Sequence, residues 1–145
     1  MTSHPARTLS ALISALVAVA LLAAGCAPST DSSSNSTSKF KGDARLAAQT
    51  VEDLQSAADD GDEAQICDEL LARAFAGRIA AAGGNCLDGV EEAIKDADSI
   101  DMTVESVQVC GDQATARVRL ETGKDDRRAT FRLVRENRRW KIADL

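Results

Sequence analysis

Residues 111–121 read Gly-Asp-Gln-Ala-Thr-Ala-Arg-Val-Arg-Leu-Glu. From Ala114 onward, small or apolar side chains alternate with polar ones, which is typical of a β-strand with one buried face. Gly111-Asp112 at the start is a two-residue turn signal, so we expect an antiparallel hairpin with the segment before it. In that register the inward pairs are Val109 with Ala114 and Val107 with Ala116.

The upstream strand begins at about Met102, and its apolar residues change phase. Met102 and Val104 have the opposite parity to Val107 and Val109. One extra residue near Glu105-Ser106, a β-bulge, brings all four to the inner face and turns Glu105 outward. Simple register without a bulge directs Glu105 inward instead. We favour the bulge.

Two further strands are expected to complete an antiparallel meander. The third, Arg128 to Arg135, returns across a loop at Gly123 to Asp126, and the last runs from Arg139 to about Ala143 with Trp140 and Ile142 inward. Arg138, in the turn before that last strand, takes a position that favours a positive φ. The expected pairs of the third strand are Leu120 with Ala129, Val118 with Phe131 and Arg117 with Arg132. Facing like charges are unfavourable, so the last pair implies either a shifted register or an anionic group between the arginines.

Three amphipathic helices precede the strands. Asp43 is the expected N-cap of the first, and Asp62 that of the second, with Gln65 in capping-box spacing. The Gly83-Gly84-Asn85 break separates the second helix from the third. The inward residues are Ala47, Val51, Leu54 and Ala58 in the first helix, Ile66, Leu70 and Ala74 in the second, and Leu87, Val90, Ile94 and Ala97 in the third. Helices packed on one face of a sheet predict an α+β domain over residues 43–145.

Residues 1–25 divide like a signal peptide. An N-terminal region without acidic residues precedes an apolar stretch from Leu12 to Ala24. That stretch is shorter than the ~20 residues that span a bilayer. Ala23-Ala24-Gly25-Cys26 resembles the lipobox of bacterial lipoproteins. The resemblance implies cleavage before Cys26, a diacylglycerol on its thiol and an extracytoplasmic location on the cell membrane. Ordinary secretion with Cys26 as a structural thiol is the alternative. Residues 26–42 form a Ser/Thr-rich stretch that we interpret as a flexible tether.

Four cysteines are present, and a disulfide is expected in an exported chain. We favour Cys67 with Cys86, each on or beside a helix. Cys110 is then a surface thiol, a site of intermolecular pairing, or the true partner of one of the other two. We expect no metal site, because the chain after the leader has no histidine and the cysteine spacing is wrong for zinc.

The net charge of −6 is unevenly distributed, with acids in the helical half and bases in the strand half. The expected outer face of the sheet is either simply solvated or a docking surface for an acidic protein or lipid headgroups. We expect no nucleic-acid partner outside the membrane. The basic residues concerned are Arg117, Arg119, Arg128, Arg132 and Lys141.

Element order and two motifs resemble the NTF2-like superfamily, in particular the small exported lipoproteins of that type common in actinomycetes. The motifs are Gly-Asp-Gln-Ala-Thr-Ala-Arg-Val at 111–118 and Arg-Arg-Trp-Lys-Ile at 138–142. The resemblance implies a cone in which three N-terminal helices pack on a curved antiparallel meander and leave a cavity. It also implies a helix-borne cysteine pair, matched by Cys67 and Cys86, and either an enzyme or a non-catalytic binding module.

The residue inventory favours the binding module. Related enzymes resemble one another in using Asp, His and Tyr inside the cone, and this chain has no tyrosine and only His4 in the leader. We therefore expect a non-enzyme without cofactor that binds a partner protein or a small apolar ligand. The alternative is a single-carboxylate enzyme that uses Glu105 on a hydrophobic substrate. The expected cavity or rim residues are Glu105, Phe131, Arg135 and Trp140, with Arg135 in cation–π contact with Trp140.

Overall fold

The computed structural model describes residues 27–29, 37–95 and 101–145, and these form an α+β fold. A five-stranded antiparallel sheet has the order β1-β2-β3-β4-β5, with the helices between β1 and β2 in the chain. The helical elements are a 3₁₀ turn (Thr37–Lys39), α1 (Gly42–Asp60), α2 (Glu63–Gln65), a π-helical turn (Ile66–Leu70), α3 (Arg73–Gly83) and α4 (Cys86–Ile94). The strands are β1 (Ala27–Ser29), β2 (Asp101–Cys110), β3 (Gln113–Thr122), β4 (Asp125–Glu136) and β5 (Arg139–Asp144).

Helix α1 buries the face that its apolar spacing predicts. Ala47, Val51, Leu54 and Ala58 are all buried. The N-cap is Lys41 and not the expected Asp43. Asp43 lies in the first turn of the helix, where its negative charge interacts favourably with the positive end of the helix dipole. Gly61, at φ 65°, ends the helix in the left-handed conformation that glycine adopts without strain.

The second predicted helix is broken into two. Asp62 caps α2 as expected, with its Oδ1 accepting from the Gln65 amide at 2.9 Å, but the chain becomes extended at Leu71. Leu70, Leu71 and Ala72 follow one another and are all buried. The extended backbone at Leu71 lets the Ala72 amide donate to the Ile142 carbonyl at 2.8 Å. The chain therefore has α3 as a separate helix.

Two of the predicted buried positions are wrong. Ala74, expected on the inner face of a continuous helix, is exposed in α3. Leu87, expected inward in α4, is 48% exposed, whereas Val90 of the same helix is buried. The expected inward position of Ala97 lies outside the described residues.

The predicted pairing of Cys67 with Cys86 is confirmed, with a Cα–Cα distance of 6.1 Å. This disulfide ties the π-helical turn to the start of α4. Helices α3 and α4 pack closely where Gly89 faces Ile79, since an ideal Cβ on Gly89 would lie 2.5 Å from Ile79 Cγ2. Cys110 is also disulfide-bonded. It is therefore not the surface thiol that the sequence allowed, and its partner lies outside the described residues.

The β2–β3 hairpin has the predicted turn, register and bulge. Val109 pairs with Ala114 and Val107 with Ala116. The register shifts between Val104 and Ser106, so Glu105 is the extra residue. Its side chain lies on the outer face with the arginines of β3 and β4.

The predicted β3–β4 register is wrong by two residues. Val118 pairs with Ala129 and not with Phe131, and Arg117 lies opposite Thr130 and not Arg132. The cause is the turn, which is a tight one at Gly123, with φ 59°, and not the longer loop expected. A shift of two residues keeps every side chain on its face, so inward and outward positions are as predicted.

Buried side chains fill the space between the helices and the inner face of the sheet. The largest fully buried ones are Leu133, Ile142, Val51, Val107 and Val118. Phe131, 3% exposed, and Trp140, 5% exposed, belong to the same core. The inner face is therefore a packed core.

Part of the segment predicted as a tether contacts the domain. Ala27–Ser29 pair with β2, from Ala27 opposite Val109 to Ser29 opposite Val107. Phe40 is buried in the core, three positions before the predicted domain boundary. The predicted leader and Cys26 lie outside the described residues. Within those that are described, no helix is both long and apolar enough to cross a membrane.

Candidate functional site

A surface groove of about 280 Å³ lies beside Trp140, between α1, the π-helical turn and the start of β5. We call it the Trp140 groove. Its volume is close to the lower end of the range of small-ligand pockets. Three of its lining side chains are apolar and the others are polar or charged. The lining residues are Leu46, Gln49, Thr50, Asp53, Gln65, Glu69, Leu70, Arg138, Arg139 and Trp140.

Trp140 is held by a stack of charged groups at the end of the sheet. The guanidinium carbon of Arg135, the residue opposite it on β4, lies 4.7 Å from the centre of the indole ring. Asp43 of α1 fixes that guanidinium through a 2.6 Å contact between its Oδ2 and Arg135 Nη2. The cation–π contact expected from the sequence is therefore present, and it joins α1 to the sheet.

Thr50 forms a second link between α1 and β5. Its side chain is 7% exposed, and its Oγ1 lies 3.1 Å from the Leu46 carbonyl and 3.3 Å from the Trp140 carbonyl. The Leu46 contact is the usual back-bond of a helical threonine. The Trp140 contact fixes the backbone of β5 where the strand lines the groove.

The indole N–H of Trp140 is a buried donor without a described acceptor. Among the residues that the structure describes, no oxygen or nitrogen atom is placed to accept from its Nε1. Buried polar atoms are usually satisfied, because an unsatisfied one costs about 1–3 kcal/mol. Arg135 Nε, on the guanidinium that stacks against the indole ring, is a second such atom among the described residues.

Charges of both signs surround the groove. Partial burial raises the pKa of the Asp53 carboxyl, and the adjacent Glu52 carboxylate raises it further. On the opposite side, Arg139 pairs with Glu69 at 3.6 Å, and Arg138 adopts the positive φ expected from the sequence, at 66°. The groove therefore offers polar and charged groups beside the apolar surface of Leu46, Leu70 and Trp140.

Glu105 does not line the groove. Its carboxylate lies on the outer face of the sheet, 3.0 Å from Arg128 Nε and 3.3 Å from Arg119 Nε. The hydrogen bond from Arg128, supported by the one from Arg119, holds the pKa of Glu105 below its usual range. A general acid needs the opposite shift. Arg119 and Arg128 lie directly opposite each other in the ladder between β3 and β4. The Glu105 carboxylate pairs with both and offsets the repulsion between their charges.

The structure therefore brings together only part of the predicted site. Trp140 lines the groove and Arg135 stacks on it, whereas Phe131 is a core residue and Glu105 is on the other face of the sheet. The sequence analysis missed Thr50, although a signal was present. Thr50 lies three residues after Ala47 on the apolar stripe of α1, and a hydroxyl on such a stripe needs a buried partner.

Comparison with known proteins yields little. No family model matches the chain, and no curated protein matches it. Among solved structures, a de novo designed NTF2 fold protein, NT-9, is similar at 17% sequence identity with a TM-score of 0.48. The match covers 67% of this chain and 81% of that one.

Proposed function

We propose that this chain is an exported lipoprotein with an NTF2-like domain, and that the domain binds a segment of a partner protein in the Trp140 groove. The lipid on Cys26 would hold the domain at the outer face of the cell membrane. The NTF2-like assignment is supported by helices that precede a long antiparallel meander and pack on one of its faces. Register shifts in β2 and between β4 and β5 support it further, because such irregularities bend strands.

The observation that carries the binding proposal is the contrast between a filled interior and an open groove whose lining combines apolar and charged side chains. Leu133, Ile142 and Val118 occupy the space in which a cone would hold an apolar ligand. The groove beside Trp140 is open, and side chains of both charge signs surround it. A peptide segment supplies apolar side chains as well as backbone amides, carbonyls and charges to such a lining, whereas a small apolar ligand supplies no partner for the charged groups. We therefore favour a protein partner over an apolar ligand.

A non-catalytic role is supported by the chemistry of the acids. Glu105, the carboxylate on which a single-acid enzyme would depend, is held ionised by two arginines on the outer face. Asp53 has a raised pKa but stands beside Glu69 and Gln65 with no histidine or tyrosine in the domain. No observation on the site favours the enzyme, and we do not propose it.

Site-specific photo-crosslinking tests this function, and the chain offers a matched control. Leu46 lines the groove at 46% exposure, and Leu87 on α4 has a similar exposure of 48% but is not part of the lining. A photoreactive residue is introduced at one position or the other in the full chain, and intact membranes are irradiated. A defined adduct at Leu46 that is absent at Leu87 supports the proposal.

Two results would argue against it. Equal labelling at both positions indicates contact without a preferred site, so the groove would have no special role. Recovery of a stoichiometric apolar molecule from the purified chain would favour the small-ligand function instead. Trp140 is the only tryptophan, so its fluorescence reports directly on occupancy of the groove in either case.

A further inference from the structure

The first half of β4 is an open edge of the sheet. Strand β3 pairs with β4 over residues 125–134, but on the other side of β4 the pairing with β5 covers residues 132–136 alone. No other described strand pairs with residues 125–130. All six are exposed apart from Ala129, which is partly buried. We call residues 125–130 the β4 edge.

The backbone groups that face the open side of this edge belong to Asp126, Arg128 and Thr130. In an antiparallel ladder the N–H and C=O groups of successive residues point to opposite sides of the strand. The Arg135 amide donates to the Asp112 carbonyl at 2.8 Å, in the turn before β3. Odd-numbered residues of β4 therefore point to β3, and even-numbered ones point away from it, because the register between β3 and β4 has no shift.

We propose that the β4 edge pairs with the β4 edge of a second copy of this chain, antiparallel and about a two-fold axis at Arg127. This register sets Asp126 opposite Arg128 of the second copy, and Arg128 opposite its Asp126. Both residues have their backbone groups on the open side, so each pair exchanges two hydrogen bonds and also brings opposite charges together. The two five-stranded sheets then form one continuous sheet.

Charge selects this register from those that align the open backbone groups. An axis at Asp126 or at Arg128 would set that residue opposite its own copy, and facing like charges are unfavourable. An axis further along β4 is blocked, because residues 132–136 already pair with β5. With the axis at Arg127, the two Arg127 side chains face each other on the opposite face of the sheet, and each has Asp125 of the second copy as a diagonal neighbour.

The β4 edge lacks the features that commonly keep an edge strand single. Such strands are protected by proline, by a bulge or by charges that repel an approaching strand. Residues 125–130 contain no proline and no register shift, and their two acids precede their two arginines. An antiparallel copy therefore brings acids to arginines. The ladder is short, so we expect a weak and reversible dimer.

The contact is independent of the proposed function. None of the residues of the β4 edge lines the Trp140 groove. Glu105 already holds the Arg128 guanidinium on the outer face at 3.0 Å, and the five N–H donors of an arginine allow a second carboxylate to bind there. Failure of the dimer would therefore leave the groove proposal intact, and failure of the groove proposal would leave the dimer intact.

Disulfide trapping tests the register, and the strand provides a matched control. Arg127→Cys places a thiol on the proposed axis, where the facing Cα atoms are about 4.5 Å apart, within the range of about 4.4–6.8 Å that a disulfide requires. Asp125→Cys is also at an exposed position, but its two copies lie four residues apart along the ladder, at about 13 Å. In the full chain, kept in an oxidising glutathione buffer, peptide mapping is expected to find the introduced thiol linked to its own copy in Arg127→Cys and not in Asp125→Cys. Equal linkage in both variants, or linkage in neither, would overturn the proposal.

Charge exchange tests the contact without an added thiol. Sedimentation of the full wild-type chain over a range of concentrations is expected to show a monomer–dimer equilibrium. Asp126→Arg and Arg128→Asp each set like charges opposite each other, so each is expected to weaken self-association about tenfold or more. A mixture of the two variants restores both opposite-charge pairs and is expected to dimerise at least as strongly as wild type, with circular dichroism showing that each variant is folded. A wild-type chain that stays monomeric, or a mixture that associates no better than the separate variants, refutes the pairing.

Discussion

Gly89→Ala is the most sharply defined perturbation of the helical layer. Gly89 lies in α4 against α3, and an added Cβ would be 2.5 Å from Ile79 Cγ2 and 3.5 Å from the Ile79 carbonyl oxygen. Non-bonded carbon atoms normally approach no closer than about 3.5 Å. The Ile79 Cγ2 methyl belongs to a β-branched side chain, which has one strongly preferred rotamer in a helix. The clash is therefore relieved only if Ile79 leaves that rotamer or the two helices move apart.

The expected magnitude is the difference of two effects. Alanine in a helix interior is favoured over glycine by about 1 kcal/mol. Overpacking of a closed contact costs about 1–3 kcal/mol, and the short distance here favours the upper part of that range. We therefore expect Gly89→Ala to lower the free energy of unfolding by about 1–2 kcal/mol. Gly77→Ala in α3 is the matched control, because nothing lies within 4 Å of its added Cβ, and it is expected to stabilise by about 0.5–1 kcal/mol.

Thermal unfolding followed by circular dichroism measures the difference between the two variants, which we expect to be about 10 °C in Tm. Ile79→Leu removes the β-branch while keeping the side-chain volume, so combining it with Gly89→Ala is expected to restore most of the lost stability. If Gly89→Ala proves as stable as Gly77→Ala, the close contact between α3 and α4 is not present in solution and the reasoning fails.

Two further predictions concern the links between elements. Thr50→Val keeps the shape of the side chain but removes the hydroxyl that lies within hydrogen-bond distance of the Leu46 and Trp140 carbonyls, so we expect a loss of about 1–2 kcal/mol in urea unfolding. Thr50→Ser keeps the hydroxyl as its control, and a Thr50→Val protein as stable as wild type would exclude a stabilising hydrogen bond from this hydroxyl. Glu105→Gln is expected to destabilise at neutral pH and low salt. Because the pKa of Glu105 is lowered by Arg128, the ionised group stabilises the fold above the usual carboxyl range, and this contribution is lost as the pH falls through the lowered pKa. The difference between Glu105→Gln and wild type should therefore vanish in strong acid. A persistent difference there would mean that charge is not its cause.

The hairpin and bulge could be predicted because their signals are local. Gly111-Asp112 fixes a two-residue turn, and the turn fixes the pairing of β2 with β3. The change of phase between Val104 and Val107 then requires one extra residue, which is Glu105. The turn signal and the alternation of side chains are both properties of neighbouring residues, so the sequence displays them directly.

The β3–β4 register and the break after Leu70 could not be predicted in the same way. Registers that differ by two residues bury the same side chains, so parity does not distinguish them, and only the conformation of Gly123 does. At Leu70 and Leu71 the helical pattern continues to Ala74, and the extended backbone is stabilised by bonds to β5, about seventy residues later in the chain. Such a contact has no signature within the helix itself.

Trp140 lines the groove and also takes part in the contacts that hold α1 to the sheet, and this limits how the groove can be tested. Its ring is fixed by Arg135 and its carbonyl by Thr50, and both links also join α1 to the sheet. Substitution of Trp140 therefore changes folding and groove shape together, and loss of binding in such a variant would not identify a contact residue. Leu46 and Arg138 are exposed on the rim and have no such role in holding α1 to β5. If the proposed function holds, substitutions at these two positions are expected to change partner binding while leaving the links between α1 and β5 in place, so they are the positions at which binding has to be measured.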